Sequence, residues 1–240
     1  MLLFAFETSA KAASVALFDG SKLLGESYQN TGLTHSQTLM VMAQDLLKQC
    51  GYTPQDVTDV AVAEGPGSFT GVRIGMAAAK GFAWGADIPC WGVSTLDAMA
   101  RCPGIWEGNL CCCMDARRNQ VYNALFYVNQ GALTRKTEDR AIALSDLAGE
   151  LKQETGPIYL VGDGAELTYR TLHEEIPGLV LLPEHALHQR AVGVGLGALE
   201  KMARGEQADG GALVPNYLRL SQAERERAEK MQNSECKMQT

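Results

Sequence analysis

The sequence has no surplus of positive charge. Its 21 Lys and Arg residues stand against 28 Asp and Glu, a formal net charge of −7 with an isoelectric point near 5.2. A protein that binds nucleic acid alone carries a basic footprint, so a role at RNA or DNA has to be shared with a more basic partner. Long hydrophobic runs are also missing. No stretch reaches the roughly 18 to 20 uncharged apolar residues of a membrane span, and the opening Met-Leu-Leu-Phe-Ala-Phe-Glu is too short and lacks the basic flank of a signal peptide. Histidine is scarce, with four residues. His35 has Leu39 four residues on, and His185 and His188 stand in a loop-like stretch beside Pro183, whereas a metal site needs several convergent donors. No Ser-His-Asp or Cys-His arrangement has a local motif. Cysteine comes as an odd seven scattered through apolar surroundings, which fits buried thiols in a reducing compartment and not a disulfide frame. The expectation is a cytoplasmic protein with no membrane contact.

What is present is a regular alternation of short elements. Residues 2–8, 14–18 and 21–29 read as a three-stranded antiparallel meander turned at Asp19-Gly20. A helix over 34–50 follows, with Leu39, Ala43, Leu46, Leu47 and Cys50 on one face and Gly51 ending it. Then come a β-branched strand at 57–63, a helix at 69–84, a strand near 88–93 and a short helix from Ser94 or Thr95. This β-β-β-α-β-α-β order is that of a ribonuclease H-like lobe. The second half repeats it loosely: strands at 109–114 and 120–128, a polar strand near 132–138, helix 145–154, strand 158–161 and helix 164–173. The pattern predicts an α/β protein of two related lobes with mixed sheets, an N-terminal lobe over 1–104 and a C-terminal lobe over 105–204. Its last helix, 190–204, returns to the first lobe. A segment 205–220 and a polar, sign-alternating tail 221–240 complete the chain. Cys111, Cys112 and Cys113 lie in an apolar strand whose alternate residues face opposite ways, so they read as core and not as a chelate.

The stretch AEGPGSFTGVRIGMAAAKGFAWG, residues 63–85, resembles the opening of a phosphate site. A P-loop needs Lys-Ser/Thr after its second glycine, and Val72-Arg73 stands there; a dinucleotide fingerprint needs glycine at 70, which is Thr. Ser68 or Thr70 as a helix cap, with Gly65, Pro66 and Gly67 shaping the entry, is the plainer reading. The helix itself is apolar on almost every side. Gly71, Gly75 and Ala79 recur every four residues, with Ala78 and Phe82 close by. A helical glycine costs roughly 1 kcal/mol against alanine, so another backbone is expected to come near. Either the chain's own second lobe covers this helix, or it forms, with Met40, Val41 and Met42 of the preceding helix, an exposed patch for a partner. Glu7 ends the first strand where an actin-like ATPase has a metal- and phosphate-binding Asp. The acidic loop that such a site needs from the other lobe has one poor candidate, VGDGAE at 161–166, with Asp163.

Six segments in order (FAFETSAKAASVAL, THSQTLM, EGPGSFTGVRIGMAAAKGFA, VSTLDAMA, MDARRNQVYNALF and PNYLR) resemble the TsaB (YeaZ) family, over about residues 2–220. The resemblance implies the actin/Hsp70-like ATPase (ASKHA) superfamily fold. It also implies a non-catalytic scaffold subunit in the complex that adds threonylcarbamoyl to N6 of adenosine 37 in tRNAs reading ANN codons. Such a subunit pairs with a TsaD-like catalytic subunit, is joined by a TsaE-like ATPase, forms a homodimer when alone, and meets tRNA only indirectly. TsaD carries a metal-binding His-x-x-x-His on its first helix; here His35 is followed by Leu39. The family pairs through its first two helices, here about 34–50 and 67–85, which points to His35, Met40, Val41, Met42, Gly71, Arg73, Gly75, Ala78, Ala79 and Phe82 as interface residues. No cofactor or metal is implied, and Glu7, Gly67 and Ser68 are the remaining candidates for a relic nucleotide site. A stand-alone small-molecule kinase or glycoprotease-like hydrolase is the alternative.

Overall fold

The computed structural model describes residues 1–105 and 107–219. Strands β1 (Leu2–Glu7), β2 (Ala13–Asp19) and β3 (Lys22–Gln29) form the antiparallel meander. β4 (Asp59–Gly65) then pairs with β1 in parallel, and β5 (Cys90–Ser94) pairs with β4, giving the order β3-β2-β1-β4-β5. Every residue of β1 is buried, as a central strand covered on both faces requires. Its side chains alternate between two cores. Leu2, Phe4 and Phe6 pack with helices α1 (His35–Gln49) and α2 (Phe69–Ala86), whereas Leu3 and Ala5 pack on the opposite face. Burying each such large side chain contributes about 1.5–3 kcal/mol. α3 (Thr95–Arg101) ends this half, its Ser94 cap accepting from the Asp97 amide.

The second sheet is built the same way. β6 (Gly108–Asp115), β7 (Gln120–Asn129) and β8 (Ala132–Arg135) form a meander, and β10 (Ile158–Val161) and β11 (Leu179–Leu181) extend it in parallel from β6. Read from β8, the order β8-β7-β6-β10-β11 matches β3-β2-β1-β4-β5. Helices α4 (Leu144–Leu151) and α5 (Ala165–Leu172) stand where α1 and α2 stand in the first half. Cys111, Cys112 and Cys113 are all fully buried in β6, facing both sides of the sheet. After the one-turn helix α6 (Glu184–Leu187), α7 (Ala191–Ala203) crosses back and buries Ala191, Val194 and Ala198 against Leu3, Ala5, Ala16 and Phe18 of the first sheet.

Three features depart from the sequence-based expectation. The polar strand near 132–138 is two short pieces, β8 and β9 (Arg140–Ala143), both paired to β7. β11 and α6 are three and four residues long, too short to show a period. The tail 221–240 lies outside the described residues. Among these residues no helix is long and apolar enough to cross a membrane.

Candidate functional site

The glycine-rich turn 65–71 sits where β4 hands over to α2, and the chain itself closes it. The Ser68 amide donates to the Ser9 carbonyl (2.7 Å), and the Ser68 hydroxyl caps α2 by accepting from the Gly71 amide (3.3 Å). A Cβ on Gly67 would lie 2.4 Å from the Ser9 carbonyl oxygen, and one on Gly71 would lie 2.1 Å from that of Thr8. The β1–β2 turn is therefore pressed onto the start of α2. Beside it a crevice of about 510 Å³ opens between the two sheets, lined by Ser9, Lys11, Gly67, Ser68, Asp115, Arg117 and Asp163 among others.

Of the two carboxylates singled out from the sequence, Asp163 lines the crevice, and Glu7 does not line it but lies near enough for the charge of Asp163 to act on it. Glu7 is buried at the end of β1; its Oε1 accepts from the Ser9 amide (2.5 Å) and its Oε2 has no partner among the described residues. Burial pushes its carboxyl up to about 7, and the charge of Asp163 adds to the rise. Asp163, which accepts from the Gln189 side chain (3.2 Å), is also raised by burial. Asp115 and Asp163 stand in the crevice wall with Lys11 and Arg117, and part of the α2 amide row is already spent. Gly67 and Ser68 serve the turn itself.

α2 presents two stripes of small residues, and the inner one is the stripe expected at the interface. That expectation is corrected at four positions. Gly71 and Gly75 are buried against the chain's own β1 end, a Cβ on Gly75 falling 2.3 Å from Thr8 Oγ1. Ala79 (0 % exposed) and Met42 (3 %) belong to the core under α1 and α2. These four face the sheet because the helix must seat closely on β1 and β4; they are not available to a partner. His35 is only half-buried, and its Nε2 is bonded to the Ala10 carbonyl (2.7 Å), tying α1 to the β1–β2 turn. Leu39 is core.

The open face of the two helices carries exposed apolar side chains among polar ones. Met40 is 48 % exposed, Val41 57 % and Trp84 89 %. Along α2 the outward line runs Thr70, Arg73, Ala77, Gly81, Trp84, with Ala78 and Phe82 half-exposed on the side toward α1. A Cβ added at Gly81 or Gly85 would meet nothing within 4 Å. This outer small-residue stripe, which a partner helix can approach, was not singled out from the sequence, nor was Trp84. Arg73 is held by the segment after α7: its Nε donates to the Tyr217 hydroxyl (2.7 Å), and the Tyr217 ring stacks on Phe69 (4.3 Å between centroids). The same strap donates the Asn216 amide to the Glu64 carbonyl (2.7 Å), and Lys80 Nζ caps it at the Leu213 carbonyl (2.9 Å). Gly65, at φ +111, passes so close beneath Asn216 that a Cβ would come within 2.6 Å of its carbonyl oxygen.

Comparison with known proteins agrees on one family. The sequence pattern of the family described as TsaD: tRNA N6-adenosine threonylcarbamoyltransferase matches residues 29–227. A protein of Bacillus subtilis called tRNA threonylcarbamoyladenosine biosynthesis protein TsaB is 33% identical over 225 residues, 93% of this chain and 96% of its own length. The Escherichia coli protein of the same name is 33% identical over 225 residues, 91% of this chain and 95% of its own. Among solved structures, YeaZ from Pseudomonas aeruginosa superposes with a TM-score of 0.77 at 27% identity, covering 90% of this chain and 99% of that one. The ethanolamine utilization protein EutJ from Carboxydothermus hydrogenoformans, at 12% identity and a TM-score of 0.50 over 81% of this chain and 89% of its own, shares the fold alone. The architecture is the two-sheet α/β fold of the actin/Hsp70-like ATPases.

Proposed function

We propose, for a chain that belongs to the TsaB family, that its work is done by the outer face of α1 and α2. That face docks a TsaD-like catalytic subunit in the machinery that makes threonylcarbamoyladenosine in tRNA. The observation that carries this reading is the apolar surface that the two helices leave open: Met40 and Val41 on α1 and Trp84 on α2 are exposed, and α2 adds a stripe of small residues. Exposed large apolar side chains on adjacent helices, beside small residues that admit a close approach, suit a docking surface. An interface of standard size buries about 1,600 Å² in total.

The protein acts here as a scaffold and not as the transferase. Leu39 stands in the core where the family's catalytic relative has the second histidine of its metal motif, and His35 is spent on the Ala10 carbonyl. A TsaE-like ATPase joins the assembled pair. With a net charge of −7 the chain leaves the binding of tRNA to its partners. Omitting the protein from a purified modification reaction is the direct test: modified adenosine is expected to fall to background, and undiminished product would overturn the reading. Calorimetric titration of the isolated protein with ATP-Mg separates the scaffold from a stand-alone kinase. No binding is expected, and micromolar affinity would favour the enzyme.

A further inference from the structure

Cations from four stretches far apart in the sequence gather at the mouth of the crevice between the two sheets. Lys11 comes from the β1–β2 turn, and Arg117 and Arg118 come from the β6–β7 turn, the matching hairpin of the second sheet. Lys11 and Arg117 line the crevice, as does Phe69 at the start of α2. Arg73 lies over the Phe69 ring, 5.6 Å from its centroid, and Arg219 donates to the Ala116 carbonyl (2.5 Å). Lys11, Arg73, Arg117 and Arg118 are exposed, so the charge stands on the rim. Lys11 and Arg118 have no hydrogen-bond or ion-pair partner among the described residues, and Arg117 has the Asp115 carboxylate at 3.3 Å. Arg117, Arg118 and Asn119 all hold left-handed backbone, at φ +66, +58 and +55. Residues other than glycine, asparagine and aspartate seldom adopt it, and then singly. Two arginines kept in such a turn mark a surface with a use.

We propose that this rim is an RNA contact: the tRNA held by a docked TsaD-like subunit lays part of its phosphate backbone across Lys11, Arg117 and Arg118. The inference rests on the reading that this chain docks such a subunit, and goes beyond it in giving the chain a direct touch on the nucleic acid. The arrangement favours an extended polyanion. The cations are strung along an open edge that spans both sheets, whereas the crevice lining beneath includes two carboxylates, Asp115 and Asp163; a phosphate chain follows an edge of this kind. An aromatic platform stands beside it. Tyr217, 38% exposed, is stacked on Phe69, and the Arg73 guanidinium lies 5.5 Å from the Tyr217 ring centroid. Unstacked bases of RNA settle on such aromatic and guanidinium planes. Arg73 also stands on the outward line of α2 with Gly81 and Trp84, so the rim is continuous with the face proposed to dock the partner. At a net charge of −7 the chain as a whole repels RNA. Affinity therefore stays with the partner, and the rim contributes orientation, as phosphate contacts do.

The test uses the full chain bound to a TsaD-like subunit, titrated at several salt concentrations with an unmodified transcript of a tRNA that reads an ANN codon. Lys11→Gln combined with Arg118→Asn removes two unpaired charges, and asparagine suits the left-handed backbone at 118. The double variant is expected to bind the transcript at least about 10-fold more weakly at about 0.1 M salt. The slope of log K against log salt is expected to fall by about 1.4, the share of two single-strand phosphate contacts. Lys22→Gln serves as the control. It removes a cation beside Asp19, at the end of the first sheet opposite Glu7, and is expected to change neither quantity. A double variant with wild-type affinity and slope overturns the inference, and so does a Lys22 variant that loses as much. Capture of the TsaD-like subunit is scored on the same proteins. Capture lost in the double variant makes the rim a protein contact and overturns the RNA reading. A wild type that captures no such subunit sinks the proposed function, whereas intact capture with an unchanged salt slope sinks this inference alone.

Discussion

Glu7 is the residue at which sequence and environment disagree most. A carboxylate at the end of a buried strand should be paired or hydrogen-bonded on both oxygens, yet Oε1 accepts from the Ser9 amide and Oε2 has no partner among the described residues. Burial resolves the conflict by pushing the group up to about 7, so that it is largely neutral in the folded protein when the same group in the unfolded chain is already charged. Between the unfolded value of 4.5 and about 7 the folded state therefore binds the extra proton. Its stabilising contribution is complete below the lower value and is lost as pH rises through the upper one. Glu7→Gln keeps the acceptor for Ser9 and removes the charge. Its melting temperature is expected to match wild type near pH 4.5 and to exceed it increasingly up to pH 8, by an amount on the order of 3 kcal/mol at most. Melts across that range check this, and a gap that is constant with pH would sink it. The identity of Glu7 at a strand end was plain in the sequence. Its protonation was not, because burial is a product of tertiary packing, and the charge that adds to the rise is that of Asp163, 156 positions away in the chain.

At the scale of the element, α2 shows what a period can and cannot tell. Spacing of four at Gly71, Gly75 and Ala79 correctly marks a close approach of backbones. A second small-residue line, Ala77, Gly81 and Gly85, lies on the opposite face, and a helix apolar all round gives no polar stripe to say which side faces water. The tie is broken only by the β1–β2 turn, whose Thr8 carbonyl presses on Gly71. The two faces consequently respond differently to mutation. Gly75→Ala places a methyl 2.3 Å from Thr8 Oγ1 and is expected to destabilise the monomer by about 1–3 kcal/mol, as overpacking does. Gly81→Glu enters open space and is expected to leave the melting temperature within a few degrees of wild type while abolishing capture of a TsaD-like subunit. A thermal melt and a pull-down on both variants check the pair; lost capture with an intact melt at Gly75, or an unfolded Gly81 variant, would reverse the assignment of faces. Short elements were the other gap. β11 and α6 have three and four residues, below the length at which alternation or a helical face can be counted.

For the molecule as a whole, the repeated β-β-β-α-β-α-β order was readable because each half carries its own hydrophobic alternation. The polar links between the halves were not, since their partners are distant in sequence. On one side of the crevice the strap after α7 sends Arg219 to the Ala116 carbonyl, across 103 positions. On the other, Ser94 at the end of β5 donates to Asp139 (2.5 Å). Asp139 also accepts from Arg135 (2.6 Å), whose guanidinium lies 4.7 Å from the Phe126 ring centroid. Ser94 belongs to the first sheet; Arg135, Phe126 and Asp139 belong to the strands and turn of the second. Asp139 is thus the shared acceptor of a joint that is mostly shielded from water, its side chain 10% exposed. Removing it takes the acceptor from the Ser94 hydroxyl and leaves Arg135 with the Thr137 carbonyl (3.2 Å) and the more distant Asp97 carboxylate (3.8 Å), and the cost of an orphaned donor exceeds the worth of the bond itself. Asp139→Ala is expected to lower stability by about 2 kcal/mol, and Asp139→Asn, which keeps an acceptor for Ser94, by less. Arg135→Ala in the Asp139→Ala background should cost less than in wild type, a coupling of at least about 0.5 kcal/mol for residues in one network. Urea titrations of the four proteins measure that cycle. Additive losses would show that Asp139 and Arg135 act separately, and that the two sheets are held together by the α7 packing and the strap instead.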